Sequence, residues 1–301
     1  MPSFGPVYTV EPRPGHPHTH TAVLLHGRGS TGEEFADELF GTALSNPQTP
    51  SLADCLPSWR WVFPSAPSTW NATFEEWMPA WFEAHSLADP TARQDLQQPG
   101  LQASVQHVWD IMGHERQRLG EVGEAREAAS LADAHADSRL VLGGISLGGA
   151  VALWCLLGTD APMRPLGGFV AVSTWLPFAE DIRRCLYMPQ VEDGPLALPA
   201  LVQRLTAPLR QHLQLQKAAA GDADTSVLTT PVFLGHGRDD AYVDVQLGQQ
   251  VRQLLADAGF ASVEWHDYEG AEQEGHWLKE PEEMDDLARF LATVGGPSRG
   301  M

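Results

Sequence analysis

The chain has 301 residues, of which 43% are hydrophobic and 19% are charged. These fractions are typical of a soluble globular protein, and the length lies within the range of one α/β domain. The 39 acidic and 19 basic side chains give a formal net charge of -20. This charge disfavours nucleic acid or an anionic membrane as the main partner, because both would repel the protein.

Residues 1–20 are predicted to form an extended N-terminal arm before a single domain over residues 21–295. His16, His18 and His20 alternate within the arm, but a metal site needs ligands held on a rigid scaffold. We therefore favour an exposed arm over metal capture. Residues 1–15 lack the basic and apolar regions of a signal peptide, and no run of about 18 apolar residues predicts a membrane span.

Strands and helices are predicted to alternate along the domain. The predicted strands are 21–25, 61–64, 140–142, 167–173, 231–237 and 262–265. The predicted helices are 33–40, 101–136 with a break near 120–123, 147–157, 245–258 and 282–292. Such alternation predicts an α/β fold with a mostly parallel central sheet and helices on both faces.

The first strand runs into a glycine-rich turn, residues 26–32, with the sequence His-Gly-Arg-Gly-Ser-Thr-Gly. In α/β-hydrolases a loop at this place supplies one N–H group that binds an oxyanion. The alternative is a plain connection between a strand and a helix, which needs fewer glycines. We favour the functional interpretation of this turn.

An aromatic stretch follows the second predicted strand. Proline and polar residues interrupt any helical or strand period in it, so we interpret part of the stretch as one wall of an apolar substrate pocket. The alternative is that these aromatic side chains belong to the core. The predicted pocket residues are Trp77, Trp81, Phe82, Trp175 and Leu176.

Ser146 stands between a predicted buried strand and a predicted helix. Gly144 and Gly148 flank it in a G-x-S-x-G motif, the pattern of a nucleophile elbow, in which a strained turn leaves no space for side chains two positions away. The Leu147 N–H would then point to where an oxyanion forms. A chance match is the alternative, but the flanking strand and helix are the context that the motif requires.

A serine nucleophile needs a base, and the base needs an orienting carboxylate. In α/β-hydrolases these residues occur in the chain order serine, acid, histidine. The residues that follow this order are Ser146, Asp240 and His276. The alternatives are Asp239 for the acid and His236 or His266 for the base.

The segment over residues 184–229 contains four prolines and departs from the regular alternation. Leu201, Leu205, Leu209 and Leu213 recur every four residues and predict an amphipathic helix that is interrupted or kinked at Pro208. We interpret this segment as a cap-like insertion. Its apolar face has three alternative partners: the body of the domain, an acyl chain beneath a cap, or a second copy in a homodimer.

Several blocks together resemble the acyl-protein thioesterase and carboxylesterase group of α/β-hydrolases, also called the phospholipase/carboxylesterase family. The blocks are residues 25–29, 78–83, 143–149, 173–177, 235–240 and 268–270. The resemblance implies that Asp240 is the acid, that His276 is the base, and that the N–H groups of Arg28 and Leu147 bind the oxyanion. Arg28 replaces a residue that is usually apolar in the family.

We therefore expect an α/β-hydrolase fold and a serine hydrolase that cleaves carboxylic esters or thioesters through an acyl-enzyme, without a metal or an organic cofactor. The expected substrate is a small ester or an acylated protein or lipid. A lysophospholipase or lipase-like hydrolase is one alternative, and a non-catalytic binding protein on the same scaffold is another. The three widely spaced cysteines form no disulfide framework, so a reducing, cytoplasmic location is expected.

Overall fold

The computed structural model describes residues 2–71, 74–87, 89–122, 136–158, 165–187, 198–213 and 225–294. The predicted helix beyond residue 122 and the glycine-containing connection at 221–224 lie outside these ranges. No helix within them is long and apolar enough to cross a membrane.

A seven-stranded sheet forms the centre of the molecule, with the strand order β1-β3-β2-β6-β7-β8-β9. Its strands are β1 (Tyr8–Val10), β2 (His20–Leu25), β3 (Trp59–Phe63), β6 (Leu140–Ile145), β7 (Gly168–Val172), β8 (Val232–Gly237) and β9 (Val263–Tyr268). All neighbouring pairs are parallel except β1 and β3. A separate antiparallel hairpin consists of β4 (Ser68–Asn71) and β5 (Glu76–Pro79).

Helices cover both faces of the sheet and complete the core. They are α1 (Gly32–Gly41), α2 (Leu52–Cys55), α3 (Gln94–Val122), α4 (Leu147–Leu157), α5 (Ala179–Leu186), α6 (Leu198–Leu213), α7 (Val245–Asp257) and α8 (Glu282–Val294). Buried residues of α3 to α7 share one apolar cluster, whereas those of α1, α2 and α8 belong to a second cluster. This mostly parallel sheet between two helical layers confirms the predicted fold class.

Part of the predicted N-terminal arm pairs with the central sheet. Tyr8–Val10 pairs antiparallel with β3, and Tyr8 lies opposite Phe63. The edge of β3 would otherwise present a row of unpaired N–H and C=O groups, which another extended segment can satisfy. The arm therefore contributes the edge strand of the sheet.

Helix α6 is the described part of the predicted insertion. It continues through Pro208 instead of ending there. Leu205 and Leu209 are 1% and 0% exposed and belong to the same apolar cluster as α3, α4 and α5. The body of the domain is thus the partner of these two leucines, which is the first of the three alternatives for this apolar face.

Candidate active site

Ser146 lies in a sharp turn between β6 and α4. Its backbone has φ 56° and ψ -125°, a left-handed conformation that a side chain adopts only when its surroundings enforce it. A Cβ atom on Gly144 would lie 2.7 Å from the Leu25 carbonyl oxygen, and one on Gly148 would lie 2.5 Å from the His26 carbonyl oxygen. The two glycines of the motif are therefore required because β2 passes directly beside the turn.

Hydrogen bonds to β7 and to the segment that follows it fix the backbone of Ser146. Its N–H donates to the Val172 carbonyl at 3.0 Å, and its carbonyl accepts from the Thr174 hydroxyl at 2.6 Å. The Ser146 side chain caps no N–H of α4. The hydroxyl therefore remains free of the helix, and the Leu147 N–H is one of the first-turn donors that an α-helix leaves without an internal partner.

Asp240 follows β8 and points its carboxylate at His276. Its Oδ2 lies 2.8 Å from Nδ1 of His276, and its Oδ1 accepts from the N–H groups of Tyr242 and Val243, each at 2.9 Å. Burial raises the pKa of Asp240, but hydrogen bonds from His236 and His276 and from the Val243 N–H outweigh it, so the net pKa lies below its ordinary value. The carboxylate is held ionised and oriented.

His276 is carried by the loop between β9 and α8, and its side chain is 13% exposed. With Nδ1–H donated to Asp240, a neutral ring keeps Nε2 as its proton acceptor. The ring of Tyr242 meets it edge to face, with centroids 5.4 Å apart. Gly275, at φ +83°, brings the loop so close that an added Cβ would lie 2.7 Å from the Asp239 carbonyl oxygen.

The alternative acid and bases occupy other places. Both carboxylate oxygens of Asp239 accept from the Gly270 N–H, at 3.0 and 3.2 Å. His236 is fully buried, with Nε2 at 2.8 Å from the Val243 carbonyl and 3.5 Å from Asp240 Oδ2. His266 stacks on Phe233 in the sheet. These contacts hold loops and strands in place.

The glycine-rich turn passes over the serine. A Cβ atom on Gly27 would lie 3.5 Å from the Ser146 Cβ and 4.0 Å from its Oγ, and the Gly29 N–H donates to the Pro79 carbonyl at 2.8 Å. Beneath the turn, Nε2 of His26 accepts from the Ala66 N–H at 3.0 Å. Burial lowers the pKa of His26 to about 4, so this imidazole is neutral and fixes the turn.

The five predicted pocket residues lie in three different environments. Trp77 is 68% exposed on the β4–β5 hairpin. Trp81 and Phe82 are core residues, and the Trp81 indole N–H donates to the His26 carbonyl at 2.8 Å. Trp175 and Leu176 line a cavity of about 320 Å³ that also contacts α5 and α7. An aromatic stretch without a clear period concealed which side chains turn inward.

The sequence did not predict roles for two side chains that shape the site, Tyr242 against His276 and Thr174 against the Ser146 carbonyl. His236, an alternative base in the sequence analysis, lies against Asp240. Tyr242 and Thr174 each lie one or two positions from a residue that the sequence had marked, which is the only signal that the chain offers. Within the described ranges no cluster of three or more His, Cys, Asp or Glu side chains could hold a metal ion.

The fold places this chain in the class of α/β-hydrolases. The family model described as Phospholipase/Carboxylesterase matches residues 9–186 and 211–295 of this chain. The chain belongs to this family and is a hydrolase of the ester or thioester type. The match omits residues 187–210, so most of α6 has no counterpart in the family pattern.

Individual relatives agree with this assignment. The chain is 29% identical to acyl-protein thioesterase 1 of Mycosarcoma maydis over 291 residues, which cover 95% of both chains. It is 26% identical to acyl-protein thioesterase 1 of Debaryomyces hansenii, over 92% of both chains. Among solved structures, acyl-protein thioesterase 2 of Zea mays matches with a TM-score of 0.61 and 25% identity, covering 97% of this chain and 100% of that one.

Proposed function

We propose that this protein is a serine hydrolase that cleaves carboxylic esters or thioesters through an acyl-enzyme on Ser146. The observation that carries the proposal is the 2.8 Å contact between His276 Nδ1 and Asp240 Oδ2. The second support is the backbone of Ser146, which has the strained turn of a nucleophile elbow. Family membership supports the same chemistry.

In the first half of the proposed reaction, Ser146 Oγ attacks the acyl carbon while its proton passes to Nε2 of His276. The carbonyl oxygen becomes an oxyanion that accepts hydrogen bonds from the N–H groups of Leu147 and Arg28. Asp240 holds the imidazole in the required tautomer and stabilises the imidazolium. Collapse of the intermediate expels the alcohol or thiol, which takes the proton from His276.

In the second half, His276 removes a proton from water, and the resulting hydroxide attacks the acyl-enzyme. A second oxyanion forms in the same place and collapses, which releases the carboxylic acid and returns the proton to Ser146. Each step uses side chains and backbone groups of this chain alone. The proposed reaction therefore needs neither a metal nor an organic cofactor.

The proposed substrate is a small ester or an acylated protein or lipid in the cytoplasm. Two observations support an acyl group: the named relatives are acyl-protein thioesterases, and Trp175 and Leu176, which follow Thr174 in the chain, line a cavity. A cavity lined in part by apolar side chains can take up a hydrocarbon chain, because burial gains about 0.8 kcal/mol per CH₂ group.

The proposal is tested with Ser146→Ala on a chromogenic short-chain ester and with a fluorophosphonate probe that labels activated serines. We expect a loss of several orders of magnitude in kcat and no labelling, with an unchanged thermal transition. The matched control is Ser45→Ala, an exposed serine after α1, which should retain both. Ester hydrolysis that survives in Ser146→Ala would disprove the assignment.

A further inference from the structure

Arg28 presents a cation in the turn that passes over the nucleophile. An added Cβ on its neighbour Gly27 would lie 4.0 Å from Ser146 Oγ, and consecutive Cα atoms are about 3.8 Å apart. The Arg28 backbone is therefore within about 10 Å of the hydroxyl. The Arg28 side chain therefore starts close to the proposed nucleophile.

The guanidinium has few partners. Its Nη1 donates to the Ala84 carbonyl at 3.4 Å, and its Cζ lies 5.2 Å from the centre of the Phe74 ring. No carboxylate among the described residues lies within the 4.0 Å of an ion pair. Among the described residues, these two contacts leave most of the five N–H donors of the guanidinium without an acceptor.

Many other arginines of this acidic protein contact a carboxylate. The described arginines that do contact a carboxylate are Arg13, Arg60, Arg93, Arg116, Arg118, Arg183, Arg184, Arg238 and Arg289. Arg28 is partly buried, and burial without an opposite charge lowers its pKa. A partly desolvated guanidinium with unused N–H donors is stabilised strongly when a ligand supplies an anionic acceptor.

The two contacts of the guanidinium lie on different segments of the chain. Phe74 is 54% exposed, so the ring under the guanidinium faces solvent. On the other side, Ala84 follows Phe82, whose ring meets Trp175 at a centroid distance of 6.2 Å. Trp175 lines the 320 Å³ cavity. The guanidinium thus contacts the connection between β4 and β5 through Phe74 and the segment after Phe82 through the Ala84 carbonyl.

We propose that the Arg28 guanidinium is a subsite for a carboxylate on the substrate, so that the enzyme prefers esters or thioesters that carry a negative charge near the scissile bond. This inference rests on the proposed function of Ser146. It assigns the Arg28 side chain a role separate from that of its backbone N–H. A planar fork binds a carboxylate through two parallel hydrogen bonds, which a single ammonium group cannot reproduce.

Two pairs of esters test the preference and locate the charge. The p-nitrophenyl monoester of glutaric acid, compared with p-nitrophenyl valerate, places a carboxylate on the acyl side. The ester 4-acetoxybenzoate, compared with its methyl ester, places the carboxylate on the leaving group. We expect kcat/KM to favour the charged member of at least one pair by about tenfold to a hundredfold, and salt to reduce that ratio.

Three variants assign the preference to the side chain. Arg28→Met should lower the charged-to-neutral ratio by the same tenfold to hundredfold, whatever it does to the neutral ester. Arg28→Lys should give an intermediate ratio. The control Arg252→Met removes one positive charge from an exposed position on α7 and should leave the ratio at the wild-type value.

Several results would overturn the proposal. They are a wild-type ratio of one or less in both pairs, an unchanged ratio in Arg28→Met, or an equal loss in Arg252→Met. If Arg28→Met does not fold, the ratio in Arg28→Lys takes its place, and a wild-type ratio of one or less still overturns the proposal. Hydrolysis of the neutral esters without a charge preference rejects the carboxylate subsite alone, whereas absence of all ester hydrolysis and of serine labelling rejects the function of Ser146 and the subsite with it.

Discussion

A Cβ atom on Gly237 would overlap the carbonyl oxygen of Gly275, so the loop after β8 and the loop that carries His276 pass each other without space for a side chain. This close approach holds Asp240 and His276, which are 36 positions apart, at 2.8 Å. The acid and the base are thus joined by backbone packing as well as by their own hydrogen bond.

Gly237→Ala should therefore push the His276 loop away from Asp240. Because small displacements of catalytic groups are costly, we expect kcat to fall by about a hundredfold with a smaller change in KM. Steady-state kinetics on a short-chain ester measure both parameters. Gly113→Ala on α3 is the matched control, since a Cβ there meets nothing within 4 Å, and unchanged kinetics in both variants would contradict the packing argument.

Asp240→Asn tests the assignment of the acid. The amide leaves the backbone contacts largely in place but favours the wrong imidazole tautomer, which we expect to lower kcat by about 10⁴. Asp239→Asn is the control. Its carboxylate accepts from the Gly270 N–H, so this variant should lose less than about tenfold, because a neutral acceptor remains. A larger loss in Asp239→Asn than in Asp240→Asn would move the acid by one position.

Glu283 should make the protein less stable as the pH rises. The side chain is 1% exposed, and burial, followed by the charge of Asp286, raises its pKa to about 8, although the Lys279 N–H opposes this. Between about pH 4.3, the ordinary pKa of Glu, and pH 8 the unfolded chain loses this proton while the folded protein keeps it. The free energy of unfolding should therefore decrease by up to about 1.4 kcal/mol per pH unit.

Urea denaturation of wild type and Glu283→Gln from pH 5 to pH 8 measures this effect. The variant, which has no proton to lose at this position, should show a flatter profile and a relative gain in stability at the alkaline end. Glu282→Gln, an exposed neighbour on α8, should keep the wild-type slope. Parallel profiles for wild type and Glu283→Gln would show that the buried carboxyl does not hold its proton.

Leu209→Ala tests whether α6 is part of the core. Leu209 is 0% exposed within the large apolar cluster, so its truncation should lower the free energy of unfolding by about 2–5 kcal/mol. Gln211→Ala, at an exposed position two residues later, should change it by no more than about 0.5 kcal/mol. Equal stability of the two variants, combined with altered acyl-chain preference in Leu209→Ala, would favour a mobile cap.

Much of this protein could be predicted from its sequence because local patterns specify it. Alternation of apolar runs and helical periods predicted the sheet and its two helical layers, and the helix after Ser146 begins and ends where the pattern places it, at Leu147–Leu157. The G-x-S-x-G motif predicted a tight turn because its glycines answer a local steric demand. Asp240 and His276 followed from chain order and from family resemblance, not from a local pattern.

Contacts between distant segments decided the rest. Only the tertiary structure pairs residues 8–10 with β3, buries Trp81 while leaving Trp77 exposed, and packs α6 on the domain. Aromatic and leucine-rich stretches have a large apolar surface that the protein core, a ligand or a second copy could cover. Their composition therefore does not determine which of these covers them. Likewise the sequence contains Arg28 and 39 acidic side chains, but only the fold determines that none of the described carboxylates reaches its guanidinium.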